Sequence, residues 1–202
     1  MRTLYTSDLH FGHVNILAYT PQRRQYLGLD ESAGVAEMNE ALVRLWNSQV
    51  EMNDTVVVVG DFAMGKVAET INYARRLHGR KVLVLGNHDR PHPIMHKRDE
   101  TTAEWQRVYA EFFDVLTIGM VHNFDGVSAY VSHFPYEGDH TEEERYGAYR
   151  PPNIGLPLVH GHVHDAWAQN GVQYNVGIDA HNGVFQTPEQ IGQYFRSIGF
   201  GR

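Results

Sequence analysis

An α/β fold in one domain over residues 1–202 is the class the sequence predicts, and three features carry that expectation. A run of β-branched residues at 55–59 marks a strand buried on both faces, and 81–85 repeats the buried-strand pattern. Between them, residues 67–78 have helical character, and strand, helix, strand at this spacing is a βαβ unit with parallel pairing. No repeat, low-complexity tract or Ser/Pro-rich linker divides the chain.

The elements follow in order. Residues 2–6 form a short first strand that ends at Ser7-Asp8. Residues 33–50 form a helix, because Val35, Met38, Leu42, Leu45 and Trp46 recur at helical spacing. The strand at 55–59 is bounded by Asp54 and Gly60, the helix at 67–78 stops at Gly79 as a C-terminal cap, and the strand at 81–85 ends at Gly86. A helix at 104–113 precedes strand-like segments at 115–118 and 128–132, and short strands follow at 157–160 and 172–176. Thr187-Pro188-Glu189-Gln190 is a capping box with proline at the first helical position, opening a helix to about residue 198. The polar stretches 90–102 and 136–153 read as loops. The second, with Glu142-Glu143-Glu144 and Pro151-Pro152, reads as a mobile flap.

Composition narrows the function. Hydrophobic residues make up 42% and charged residues 20%, as in ordinary globular domains. No apolar run approaches the ~20 residues of a membrane span and the N-terminus lacks an apolar signal core, so the expected location is cytoplasmic. A net charge of −7 gives no bulk attraction for long nucleic acids. The absence of cysteine excludes disulfides and thiolate chemistry, whereas 13 histidines offer metal ligands and proton shuttles.

The polar residues fall at strand ends. Ser7-Asp8-Leu9-His10, Gly60-Asp61-Phe62, Gly86-Asn87-His88-Asp89, His133 and Gly161-His162-Val163-His164 each follow a strand, at the end where α/β sheets bind ligands. Glycine precedes three of these clusters, allowing sharp turns and close backbone approach. Asp8, His10, Asp61, Asn87, His133, His162 and His164 are seven candidate ligands, too many for one ion. Two metals about 3.5–4 Å apart and bridged by one carboxylate would use them all. Oxygen and nitrogen donors without sulfur suit Mn²⁺ first, with Fe, Ni²⁺, Zn²⁺ or Mg²⁺ as alternatives.

Taken in order, Asp8-x-His10, Gly60-Asp61, Gly86-Asn87-His88-Asp89, His133 and Gly161-His162-x-His164 resemble the five motifs of the calcineurin-like metallophosphoesterases, and Asn175-Val176-Gly177 resembles the segment that follows them. Phe11-Gly12-His13-x-Asn15-Ile16 and Gly60-Asp61-Phe62-Ala63 resemble a small single-domain bacterial and phage branch. The resemblance implies a four-layer αββα sandwich with two mixed β-sheets. It implies one metal on Asp8, His10, Asp61 and His164 and another on Asp61, Asn87, His133 and His162. A hydroxide bridging the metals would attack phosphorus in line, with His88 as the proton donor to the leaving group and Asp89 orienting His88 or its loop. Where the protein phosphatase branch carries a phosphate-gripping arginine, this chain has Phe62-Ala63-Met64-Gly65, which argues against phosphoprotein substrates.

The expected activity is hydrolysis of phosphodiesters, cyclic or small nucleotides foremost. A phosphomonoesterase is the alternative, and a catalytically silent metal-binding scaffold is the rival from another class. Retention of Asn87 and His88 disfavours the scaffold. His13, Asn15, His160 and His181 read equally as substrate-facing or structural, and Arg23, Arg24 or Arg90 as phosphate contacts that spacing alone does not place. His78, His92, His96, His122 and His140 read as solvated loop or helix-end residues, the Glu142 to Glu144 run as a solvated face, and Trp46, Tyr73 and Trp105 as core.

Overall fold

A computed structural model describes residues 1–95 and 99–201, with two stacked sheets. In the first, β1 (Thr3–Thr6), β2 (Thr55–Val58), β3 (Arg80–Val84) and β4 (Val115–Thr117) lie side by side in that order, every pair parallel. The second contains β5 (Met120–Phe124), β6 (Val127–Val131), β7 (Leu158–His160), β8 (Gln169–Asn170) and β9 (Gln173–Asn175), ordered β5-β6-β7-β9-β8. Its central pairs β6–β7 and β7–β9 are parallel, and both edges are antiparallel. Two mixed sheets were expected, but only the second is mixed. Each link in the first crosses over through a helix-bearing segment, and such crossovers return the strand parallel.

The helices are α1 (Ile16–Tyr19), α2 (Gln22–Leu27), α3 (Val35–Gln49), α4 (Val67–Thr70), α5 (Asp99–Tyr109) and α6 (Pro188–Ser197). The helix expected over 67–78 is α4 followed by a 3₁₀ stretch, Ile71–Arg76. There the Asn72 side chain donates to the carbonyls of Ala68 and Glu69, and such local bonds compete with the α-helical ladder. The Thr187 capping box forms as expected, with Gln190 N donating to Thr187 Oγ1.

Alternation along the strands explains their continuous apolar runs. Val56 and Val58 face a cluster with Met38, Leu42 and Trp46 of α3, against which Tyr73 and Trp105 also pack, so all three aromatics read as core are core. Val57 and Val59 face the opposite way and join Val131, Val159 and Tyr174 of the second sheet. Both faces are thus dry. Helix α6 packs on β5, β6 and β1, placing Ile191 and Phe195 in the inter-sheet cluster. Among the described residues no helix is long and apolar enough to cross a membrane.

The unforeseen pieces are short: α1, α2, β8 and β5. Strand β5 carries His122 and Asn123, which blur its alternation. Its signal was the Asp125-Gly126 pair, whose two positive φ angles of 50° and 90° make the hairpin turn to β6.

Candidate metal centre

Within each sheet the strands that feed the site run parallel to one another, so the five motifs arrive at one rim: Asp8 and His10 after β1, Asp61 after β2, Asn87 and His88 after β3, His133 after β6, and His162 and His164 after β7. All seven candidate ligands are brought together. Asp61 is central, with its Oδ2 3.5 Å from His133 Nε2, 3.9 Å from His10 Nε2 and 4.0 Å from His88 Nε2. On one side Asn87 Oδ1 is 3.0 Å from both His133 Nε2 and His162 Nδ1. On the other, His10 Nε2 is 3.3 Å from His164 Nε2 and 3.9 Å from Asp8 Oδ1.

These spacings fit cations. A tetrahedron with bonds of ~2.1 Å has edges of roughly 3.4 Å. Asp8, His10 and His164 form one group able to hold an ion, and Asp8, Asp61 and His133 another. The protonation states agree with that chemistry. Burial, reinforced by neighbouring His164 and Arg23, pushes His10 far below the ordinary imidazole range, and burial takes His162 down to about 4. Burial favours the neutral form of Asp61, but the imidazoles of His133 and His88 outweigh it and hold the carboxyl below its usual range. Neutral imidazoles at His10 and His162 beside an ionised Asp61 are the forms of those groups that bind a metal.

The backbone reaches this arrangement under strain. Asp8, His10, Asp61, His162 and His164 all have positive φ, between 50° and 72°, five of the eight non-glycine residues that do among the described residues. Such conformations cost of order 1–3 kcal/mol each and cluster at functional sites. The glycines act mainly through space. A Cβ on Gly86 would lie 2.3 Å from Asp61 Oδ1, and one on Gly161 would lie 1.9 Å from Ser7 Oγ. Asp89 accepts hydrogen bonds from the backbone N–H of Asp61, Phe62 and Gly86, tying the second and third motifs together. Burial and the Asp61 charge push its carboxyl up to about 7.

Further residues orient the donors. His133 Nδ1 meets Val59 O at 2.8 Å, which leaves Nε2 facing Asp61. His164 Nδ1 lies 3.6 Å from Asp179; although burial opposes it, this contact together with Asp8 raises the imidazole. Asp179 is held low, against its burial, chiefly by Arg23. Arg23 is fully buried and spends its guanidinium on Asp179, Leu9 O and Asp8 O, so it is not a phosphate contact. Arg24 donates to Asp30 O and Ala33 O, and Arg90 lies over the Trp105 ring.

The stretch 136–153 is the larger surprise. It is a loop with one 3₁₀ turn, Gly147–Tyr149, but ion pairs pin it. The Asp139 carboxylate meets Arg145 Nη2 at 3.0 Å, Arg150 Nη2 at 3.2 Å and His162 Nε2 at 3.3 Å. His140, expected in solvent, has its Nδ1 3.0 Å from His162 O and forms with Asp139 and His162 a third group of candidate ligands. Charge spacing alone gave no sign of either. Glu142 to Glu144 are exposed as expected.

A cavity of about 690 Å³ opens over the cluster, lined by Asp61, Asn87, His88, His13, His140 and Arg145 among others. His13 thus lines the cavity, and burial lowers it to about 4. Of the remaining uncertain residues, His160 packs on Trp167 and His181 on Tyr174, both structural, and Asn15 is an exposed residue before α1. His92 is buried against Phe134 and Tyr149 rather than solvated, His122 is hydrogen-bonded to Tyr5, and His78 to Val50 O. His96 lies outside the described residues.

Residues 1–170 match the calcineurin-like phosphoesterases. The gene 66 protein of Mycobacterium phage D29 is 34% identical over 92% of both chains, and that of phage L5 is 32% identical over 88% of this chain and 86% of its own. A crystal structure of a protein of unknown function from Aquifex aeolicus shares the fold, with a TM-score of 0.68 at 23% identity over 96% of this chain and 98% of that one. The chain belongs to the calcineurin-like phosphoesterase family, whose members act on phosphate esters with divalent metals.

Proposed function

We propose that this calcineurin-like phosphoesterase hydrolyses phosphodiesters, cyclic or small nucleotides foremost, at a centre of two divalent cations bridged by Asp61. The observation that carries the reading is the placement of Asp61 Oδ2 within 4.0 Å of His10, His88 and His133 Nε2 at once. Asp8, His10 and His164 would complete one site, and Asn87, His133 and His162 the other. When bound, the two cations, Mn²⁺ foremost, would supply Lewis-acid activation of water and neutralise charge on the phosphoryl oxygens.

The chain's own residues do the rest. His88 is the least buried of the cluster, with its side chain 38% exposed on the cavity wall, and its backbone N–H is anchored to Asp61 Oδ1 at 2.8 Å. That anchoring leaves the imidazole in a position to protonate the departing oxygen. Phe62 and Ala63 are fully buried and Met64 Sδ lies 3.2 Å from His10 Nδ1, so the segment after Asp61 contributes no cation to a phosphate. A diester with one negative charge suits that site better than a dianionic monoester.

The test is a panel of bis(p-nitrophenyl) phosphate, p-nitrophenyl phosphate and cyclic nucleotides, assayed on protein stripped by chelator and reloaded with Mn²⁺, Ni²⁺, Mg²⁺ or Zn²⁺. A higher kcat/KM for the diester is expected. A higher value for the monoester would reassign the protein as a phosphomonoesterase.

A further inference from the structure

Two arginines share the Asp139 carboxylate, and they are employed differently. Arg150 is nearly buried, with Nε donating to Arg145 O at 3.0 Å, Nη1 to Gly138 O at 2.9 Å, and Nη2 to Asp139 at 3.2 Å. Its donors are consumed inside the loop. Arg145 is 36% exposed and makes its side-chain hydrogen bonds through Nη2 alone, to Asp139 and to the His140 ring at 2.9 Å. Its buried Nε has no partner. Among the described residues lining the cavity, Arg145 is the sole arginine or lysine. Asp139 also fixes where that charge sits, because its other oxygen holds His162.

We propose that Arg145 is the substrate-specificity residue of this site: its guanidinium hydrogen-bonds a non-bridging phosphoryl oxygen of the ester seated against Asp61, Asn87 and His88. Charge-assisted N–H···O bonds to phosphate are strong, and the planar guanidinium has donors to spare for them. One arginine, partly offset by Asp139, matches the single charge of a diester. The inference rests on the phosphoesterase reading and adds the group that recognises the anion.

The test compares metal-loaded wild type with Arg145→Gln, Arg145→Lys and Arg150→Lys. Inorganic phosphate affinity is measured by calorimetry, metal content by elemental analysis, and kcat and KM on bis(p-nitrophenyl) phosphate. Arg145→Gln should weaken phosphate binding and raise KM by about 10- to 100-fold, the range for one charged hydrogen bond, with metal content retained and kcat little changed. Arg145→Lys should fall between, and Arg150→Lys should bind phosphate as wild type does. Equal losses in Arg145→Gln and Arg150→Lys, or loss of metal in Arg145→Gln, would make Arg145 a loop anchor and overturn the proposal. A wild type without metal-dependent hydrolysis overturns the phosphoesterase reading and this proposal together. A hydrolysing wild type whose phosphate affinity survives Arg145→Gln overturns this proposal alone.

Discussion

On the first-sheet side of the cavity, Asp8, His10 and Asp61 are aimed by backbone held at positive φ, and Asp8 and Asp61 pack against glycines that admit no Cβ. In the stretch 136–153, by contrast, Asp139, His140 and Arg145 are aimed by ion pairs within one loop. The first wall has its geometry built into strand ends and resists change. The second depends on a few side chains around one carboxylate, so substitution there should tune the site rather than destroy it.

The largest contrast is expected at Asp61. Asp61→Ala removes the carboxylate shared by both proposed ion sites, so metal content should fall towards one or none per chain and turnover should drop to background. Asp61→Asn, keeping the shape, should do the same more mildly. Two ions per chain with near-normal turnover would break the backbone-built wall as a metal site.

That wall is also the part that was legible in the sequence. Strand ends followed by Asp, Asn or His are local patterns, and parallel pairing brings distant local patterns to one rim. The cluster of candidate ligands was therefore readable without coordinates, as were the two buried central strands. Asp139, His140 and Arg145 were not, because what gives them a role is contact with His162, across a loop whose sequence shows only charge. The partners of Asp89 were not legible either: they are backbone N–H groups of Asp61, Phe62 and Gly86, which no sequence pattern displays. Arg23 illustrates the converse, a cation that looked available and is buried on Asp179.

Next in size is His88→Ala. It should leave metal content close to wild type and slow turnover by about 10²–10⁴-fold, the usual cost of losing a general acid. The loss should be much greater on a nucleoside or alkyl diester than on a nitrophenyl diester, because nitrophenolate departs without a proton. Equal slowing on both would make His88 a positioning group.

Asp139→Asn tests the loop wall. It weakens the hold on His162 Nε2, and loss of such an orienting partner costs about 10–100-fold in metal affinity or activity. Metal titration alongside kinetics would show it, and an effect as large as that of Asp61→Ala would erase the distinction between the walls.

The smallest expected change is in stability. A methyl group at Gly161→Ala would meet Ser7 Oγ and Asp8 Oδ2 at 1.9 Å and 2.7 Å. Overpacking of this kind costs about 1–3 kcal/mol, which should lower the Tm by several degrees in a thermal melt. An unchanged Tm would mean that the strand ends yield more easily than their packing indicates.

The most direct test of the central claim is anomalous diffraction from crystals soaked in Mn²⁺. Two peaks about 3.5–4 Å apart with the Asp61 carboxylate between them are the expected result. A single peak away from Asp61, or density only among Asp139, His140 and His162, would contradict it.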